Sequence, residues 1–174
     1  INKHNTKAKL KKEIIKKKVK AKKLLQTYKY SFFSSSQNNI IKKTTFNNPL
    51  KGRITRRFAY RVHPRTEKRI YYHRGIDISA ITGTPVKAAA NGVVYFSGYD
   101  YRGFGQLVVI KHDNNVLSYY GHLYKRLVKK GDTIKRGHVI GKVGSTGRST
   151  GPHLHFEIRY KQSPINPALF IDFN

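Results

Sequence analysis

The chain has 174 residues, 38% of them apolar, with 36 lysines and arginines against 8 acidic residues and a formal charge of +28. That length and apolar content suit one packed domain plus an extension. The absence of cysteine excludes a disulfide scaffold, a thiolate metal site and a cysteine nucleophile. Basic residues dominate both the first 50 residues and the remainder, so the charge is not confined to a tail. Such a field favours polyanions such as nucleic acid, anionic lipid or an anionic wall polymer, or else reflects a general bias toward Lys, Asn and Ile. No apolar run approaches bilayer-spanning length. With no methionine and Ile at position 1, an upstream part is expected to precede this chain, with room there for a signal peptide or membrane anchor.

Residues 1–27 form a Lys-rich leader in which Leu10, Ile14, Ile15, Val19, Leu24 and Leu25 are loosely helical in spacing. The lysine runs interrupt any clean apolar face, so a solvated helix or a disordered lead-in is expected. Residues 28–48 read as a strand, Tyr28 to Phe33, followed by a polar linker. The main domain is placed at 49–174 and reads as all-β. Short apolar segments recur between turns at Val86–Ala90, Gly92–Phe96, Leu107–Ile110, Val116–Tyr120, His138–Val143 and His155–Tyr160. Asn91-Gly92 and Asp113-Asn114-Asn115 read as hairpin turns. No stretch beyond residue 50 reads as a long helix. A compact antiparallel sheet assembly with loops gathered over one face is expected.

Polar chemistry concentrates in the histidines. His153 and His155 lie two apart at the start of a strand, so both should point to one face, with Leu154 and Phe156 on the other. His73 opens His73-Arg74-Gly75-Ile76-Asp77, and a carboxylate four residues from a histidine stands out in so basic a chain. Gly75 permits an unusual turn that would let both side chains converge. Zinc accepts imidazole nitrogen and carboxylate oxygen, and a hydrolytic site needs three protein ligands and an open position for water. His73 and Asp77 supply two of them, and one of the paired histidines the third. His122, in Tyr120-Gly121-His122-Leu123, shares a face with Val116, Ser118 and Tyr120 if the strand is regular. It reads either as a half-buried strand-end residue or as a base beside the metal. His4, His112 and His138 read as surface residues, and His63 as a loop residue without an assigned role. Glu157 reads as a residue behind the site or on the surface. Tyr60, Tyr95 and Tyr119 read as groove lining or as ordinary aromatics.

Three motifs, His73-x-x-x-Asp77, Tyr120-Gly121-His122-Leu123 and Gly144-Ser145-Thr146-Gly147-Arg148-Ser149-Thr150-Gly151-Pro152-His153-Leu154-His155-Phe156-Glu157, resemble the lysostaphin/LytM-type zinc metallopeptidases that cut peptidoglycan cross-bridges. The resemblance runs from about Pro49 to about Pro167. It takes in Arg53-Ile54-Thr55, Phe58-Ala59-Tyr60-Arg61-Val62-His63-Pro64 and Gly83-Thr84-Pro85-Val86. Residues 28–50 resemble, more faintly, the segment preceding the peptidase domain in Gram-negative members. The resemblance implies that His73, Asp77 and His155 bind one zinc ion and that His122 and His153 are catalytic. Substrate-binding residues are not assigned. Ala59, Ile81 and Arg56 depart from residues common in the family, and none of the three is expected to touch a metal or catalytic position.

What the resemblance implies is an all-β peptidase domain with long loops around a zinc cleft, hydrolysing peptide cross-links of peptidoglycan, D-Ala–diaminopimelate bonds being expected over a glycine bridge. The expected partners are peptidoglycan peptide stems and an anionic envelope polymer or membrane surface. The expected place is the bacterial envelope, periplasmic or associated with the inner membrane through the upstream part, and the expected state is a monomer. A non-catalytic, wall-binding activator of another hydrolase is the alternative, disfavoured because all five site positions are present. A nucleic-acid module is suggested by charge alone. The chain lacks the aromatic-basic platform of single-strand binders and a recognition helix, so nucleic acid is not an expected partner.

Overall fold

A computed structural model describes residues 44–62 and 70–173 together with Glu13; for 60–62, 70 and 71 it describes the backbone alone. The leader at 1–27, apart from Glu13, and most of the linker at 28–48 lie outside the described residues, as do His4 and His63. Among the described residues no helix is long and apolar enough to cross a membrane.

The chain divides into two units. Of the first, the structure describes β2 (Ala59–Val62) and most of β3 (Ile70–His73), which pair as a two-stranded ribbon. The second holds β1 (Arg53–Arg56), β4 (Ile76–Ser79), β5 (Pro85–Lys87), β6 (Gly92–Asp100), β7 (Gly105–Lys111), β8 (Val116–Leu123), β9 (Lys125–Arg126), β10 (Thr133–Ile134), β11 (Val139–Lys142), β12 (His153–Tyr160) and β13 (Ser163–Ile165). An eight-stranded sheet runs in the order β1-β4-β12-β8-β7-β6-β10, with β13 also paired to β12. A three-stranded sheet runs β5-β11-β9. Every pairing within these two sheets is antiparallel, as the all-β reading expects.

The register of the large sheet sorts its two faces. Leu154 pairs with Ile78, Phe156 with Ile76 and Tyr120, Ile158 with Ser118, and Val108 with Tyr120. Residues directly opposite share a face, so these side chains form one apolar layer, and Ile76, Ile78, Val108, Tyr120, Leu154, Phe156 and Ile158 are all buried. Burial of each of the larger ones contributes roughly 1.5–3 kcal/mol. The other face carries Asp77, His153, His155, Glu157 and Arg159, beside a smaller apolar cluster of Leu107, Val109 and Leu117 that Phe104 and Tyr119 cover.

Two sequence expectations change here. Asn91-Gly92 is not a hairpin, because β5 pairs with β11 while β6 pairs with β7 and β10. Gly92 is needed because a Cβ there would meet the Lys111 carbonyl oxygen. His112 is not on the surface but buried, at 4% exposure. Its Nδ1–H donates to the Asn91 carbonyl at 2.6 Å, and its Nε2 lies 2.8 Å from Ser118 Oγ. Ser118 Oγ is in turn 2.9 Å from Tyr120 Oη, which accepts from Ala89 N–H at 2.8 Å. Phe46 packs edge-on against the His112 ring. The side-chain polar atoms of His112, Ser118 and Tyr120 all have partners inside the core, and burial pushes the His112 imidazolium down in pKa. The Asp113–Asn115 turn does link β7 to β8, with Asn114 and Asn115 at positive φ, and His138 is exposed as expected.

Gly75 serves a purpose other than the expected turn. Its φ is not left-handed, but a Cβ on it would collide with the Phe156 carbonyl oxygen of β12. Close approach of the backbones brings β4 against β12. Gly75→Ala should therefore lower stability by about 1–3 kcal/mol through forced backbone shifts, as a fall in the denaturant midpoint with an unchanged slope.

Candidate active site

Asp77 sits at the centre of a row across the large sheet. Its backbone partner on β1 is Arg56 and on β12 is His155, whose own partner on β8 is Gly121. The Asp77 and His155 side chains therefore meet directly, with Asp77 Oδ1 2.7 Å from His155 Nδ1. His73, at the end of β3, brings Nε2 to 3.0 Å from the same oxygen and 3.2 Å from His155 Nδ1. One ligand atom from each residue lies within 4.8 Å of the others, and all three residues are buried.

The hydrogen bonds on the far side of each ring determine what faces inward. His73 Nδ1–H donates to the Arg57 carbonyl at 3.1 Å, and His155 Nε2–H donates to Glu157 Oε1 at 2.9 Å. When both imidazoles are neutral, that leaves His73 Nε2, His155 Nδ1 and Asp77 Oδ1 as three acceptors crowded together. Such a cluster calls for a positive charge at its centre, and imidazole nitrogen with carboxylate oxygen is a donor set that zinc accepts. Without a metal, the cluster favours a proton. Burial disfavours the His155 imidazolium, but the hydrogen bonds to Asp77 and Glu157 prevail and raise its pKa to about 9. Burial likewise raises Asp77, and the hydrogen bonds from His155 and His73 overcome it, holding the carboxyl far below the usual range.

His153 lies on the same face. Its Nδ1–H donates to the Gly151 carbonyl at 2.7 Å, and its Nε2 is 3.7 Å from Asp77 Oδ2. His122 reaches this group by a route that strand alternation misses. A regular β8 would put it with Tyr120 in the apolar layer. Instead the β7–β8 register shifts, with Gln106 opposite Leu123 but Val108 opposite Tyr120, so β8 carries one extra residue. His122 adopts φ 62°, a left-handed conformation uncommon for a non-glycine residue. This bulge turns its ring to the site face, 4.8 Å from the His153 ring and 5.7 Å from that of His155. His122 Nδ1–H donates to the Thr146 carbonyl at 2.8 Å. Burial, then the nearby charge of His155 and His153, lowers its pKa to about 4.

The structure thus brings together His73, Asp77, His122, His153 and His155. Several partners were not assigned from sequence. The loop between β11 and β12 fixes both outer histidines through the Thr146 and Gly151 carbonyls, and Thr146 Oγ1 donates to the Leu123 carbonyl while accepting from Gln106 N–H. Gly147, at φ 71°, lets this loop lie against the Gly105 backbone. Arg56, expected to stand clear of the site, places Nη1 3.4 Å from Asp77 Oδ2. Its neighbour relation to Asp77 is a cross-strand register, which carries no local sequence signal. Tyr119 lies beside the site face under Arg159, whereas Tyr95 is exposed. The side chain of Tyr60 lies outside the described residues.

Residues 71–167 match Peptidase family M23, and the chain belongs to that family. It is 48% identical over 116 residues to the DD-carboxypeptidase/endopeptidase Mpg of Neisseria meningitidis serogroup B, covering 67% of this chain and 26% of that protein. It is 43% identical over 129 residues to the peptidoglycan DD-endopeptidase ShyC of Vibrio cholerae, covering 73% and 29%. A crystal structure of a zinc-containing peptidase from Vibrio cholerae superposes with a TM-score of 0.66 at 38% identity, over 70% of this chain and 39% of the other. The chain spans between a quarter and a third of the length of these curated relatives.

Thr146→Val keeps the branched shape and removes both hydroxyl hydrogen bonds. It should cost about 1–3 kcal/mol by orphaning Gln106 N–H and the Leu123 carbonyl, read as a lower thermal midpoint of the metal-free protein.

Proposed function

We propose that this chain is a zinc-dependent endopeptidase that hydrolyses peptide cross-links of bacterial peptidoglycan, D-Ala–diaminopimelate bonds in particular. The domain proposed to do so is 49–174, with Phe46 of the preceding segment packed on it. The observation that carries the reading is the convergence of His73 Nε2, Asp77 Oδ1 and His155 Nδ1, beside two imidazoles whose Nδ1 atoms are held by the Thr146 and Gly151 carbonyls. The names of the relatives supply the substrate class.

His73, Asp77 and His155 would hold one zinc ion per chain. Bound there, zinc supplies a Lewis acid that brings the pKa of water toward neutrality. The remaining chemistry falls to His122 and His153. The Thr146 and Gly151 carbonyls hold the Nδ1 protons, so each ring offers its Nε2 lone pair to the site. With its pKa near 4, His122 is neutral at physiological pH and ready to accept a proton from a water and return it to the departing amine. A protonated His153 or His122 beside the scissile carbonyl stabilises negative charge developing on its oxygen. The bacterial cell envelope, on its periplasmic side, is the proposed place of action, and the basic surplus suits retention on an anionic envelope surface.

Sacculi incubated with purified protein should lose cross-linked muropeptides and gain uncross-linked ones, as read after muramidase digestion, with the conversion stopped by a chelator and resumed with zinc. Sacculi left intact by zinc-loaded protein would overturn the catalytic reading in favour of a wall-binding role. Two substitutions separate the assignments. His122→Ala should keep zinc and lose about 10²–10⁴ in kcat. Asp77→Ala should weaken zinc itself by more than about 100-fold, beyond the usual effect of an outer hydrogen-bond partner. Equal metal loss in both variants, by direct metal analysis, would sink this division of roles.

A further inference from the structure

We propose that Glu157, clamped by Arg159, is a positioning residue that fixes the His155 ring with Nδ1 turned toward the metal position. The proposal rests on the reading of His73, Asp77 and His155 as zinc ligands.

His155, Glu157 and Arg159 alternate along β12 and so share one face. Glu157 is only 1% exposed, yet both its oxygens are used. Oε1 accepts from His155 Nε2–H at 2.9 Å, and Oε2 accepts from Arg159 Nε and lies 2.6 Å from Arg159 Nη2. A carboxylate this deep is costly unless it is compensated. Compensation alone would be served by the common fork, in which two guanidinium nitrogens meet two carboxylate oxygens. Here both nitrogens converge on Oε2, and Oε1 is left for the imidazole. The arginine is itself held, its guanidinium 4.1 Å above the Tyr119 ring and 6.0 Å from that of Phe104. Phe104 also packs edge-on against His155, at 5.5 Å. The strut runs from two aromatic rings through Arg159 and Glu157 to the ligand histidine.

Its consequence is tautomeric. An acceptor at Nε2 keeps the single proton of a neutral His155 on that nitrogen and leaves Nδ1 bare. Without it, the proton can sit on Nδ1, where it would face Asp77 and block the position a cation would take. In Glu157→Gln the amide oxygen is drawn to Arg159, and the amide nitrogen turns to His155. A donor opposite Nε2 then favours the wrong tautomer.

The test uses the full chain. Zinc affinity is measured by chelator competition for wild type, Glu157→Gln, Arg159→Lys and Asp77→Ala. The His155 tautomer is read by long-range proton–nitrogen NMR on the metal-free protein at a pH where the ring is neutral, and the ligand field by the visible spectrum of the cobalt-substituted protein. Glu157→Gln, folded by circular dichroism, should bind zinc about 10–100-fold more weakly, the range for outer-shell partners. It should also shift the cobalt bands and lose the Nε2–H form of His155. Arg159→Lys should weaken zinc by a smaller factor. A folded Glu157→Gln protein with zinc affinity within twofold of wild type and Nε2–H intact overturns the proposal. If Glu157→Gln does not fold, unchanged zinc affinity in Arg159→Lys overturns it equally. Undiminished zinc in Asp77→Ala would instead bring down the metal-site reading beneath it.

Discussion

The cross-strand pairing of Asp77 with His155 is the constraint on which the site depends. It places a carboxylate and an imidazole directly opposite on one face, while their neighbours Ile78 and Leu154 meet on the other. Register has a period of two, so a slip by one residue between β4 and β12 would send Asp77 or His155 into the apolar layer and Leu154 or Phe156 out of it. The apolar layer therefore enforces the polar arrangement. Gly75 contributes by letting the chain pass close to the Phe156 carbonyl just where this register begins.

A second level of organisation is the fixing of ring nitrogens. Three of the four site histidines donate to backbone carbonyls, of Arg57, Thr146 and Gly151, and the fourth donates to a buried carboxylate. Backbone acceptors are rigid and need no charge compensation, which suits the outer rings. The exception is His155, whose partner Glu157 comes from the same strand. Positions of acceptors, rather than the histidines alone, thus set which lone pairs meet. This order is built into the fold by fixed backbone and side-chain acceptors.

Much of this was legible in the sequence, and the rest was not for identifiable reasons. The β7, β8, β11 and β12 segments carry β-branched and aromatic runs bounded by turn residues, and they form where expected. The spacing of His153 and His155 was enough to put both on one face. Strands β1 and β4 are four residues each and mix charged or polar residues with isoleucine, so they owe their form to their neighbours rather than to propensity. Asn91-Gly92 has hairpin chemistry, but tertiary pairing sends the flanking strands to different sheets. The burial of His112 depends on Ser118 and Tyr120 presenting polar atoms inward, a hint visible only once the core face of β8 is known. Arg56 and Thr146 act over separations of 21 and 24 residues, which local pattern cannot register.

The bulge at His122 has a consequence for how this chain can change. β8 holds one residue more than its pairing with β7 requires, and that residue sits in a left-handed backbone conformation. Deleting His122 would let the two strands pair without interruption and remove the unfavourable φ. The shortened chain would fit its sheet better, and the ring that now faces the site would be lost from it. The local optimum for folding and the arrangement of the candidate site thus differ by one deletion, so length here is under a different pressure from composition. That one deletion exchanges the His122 ring for a regular ladder.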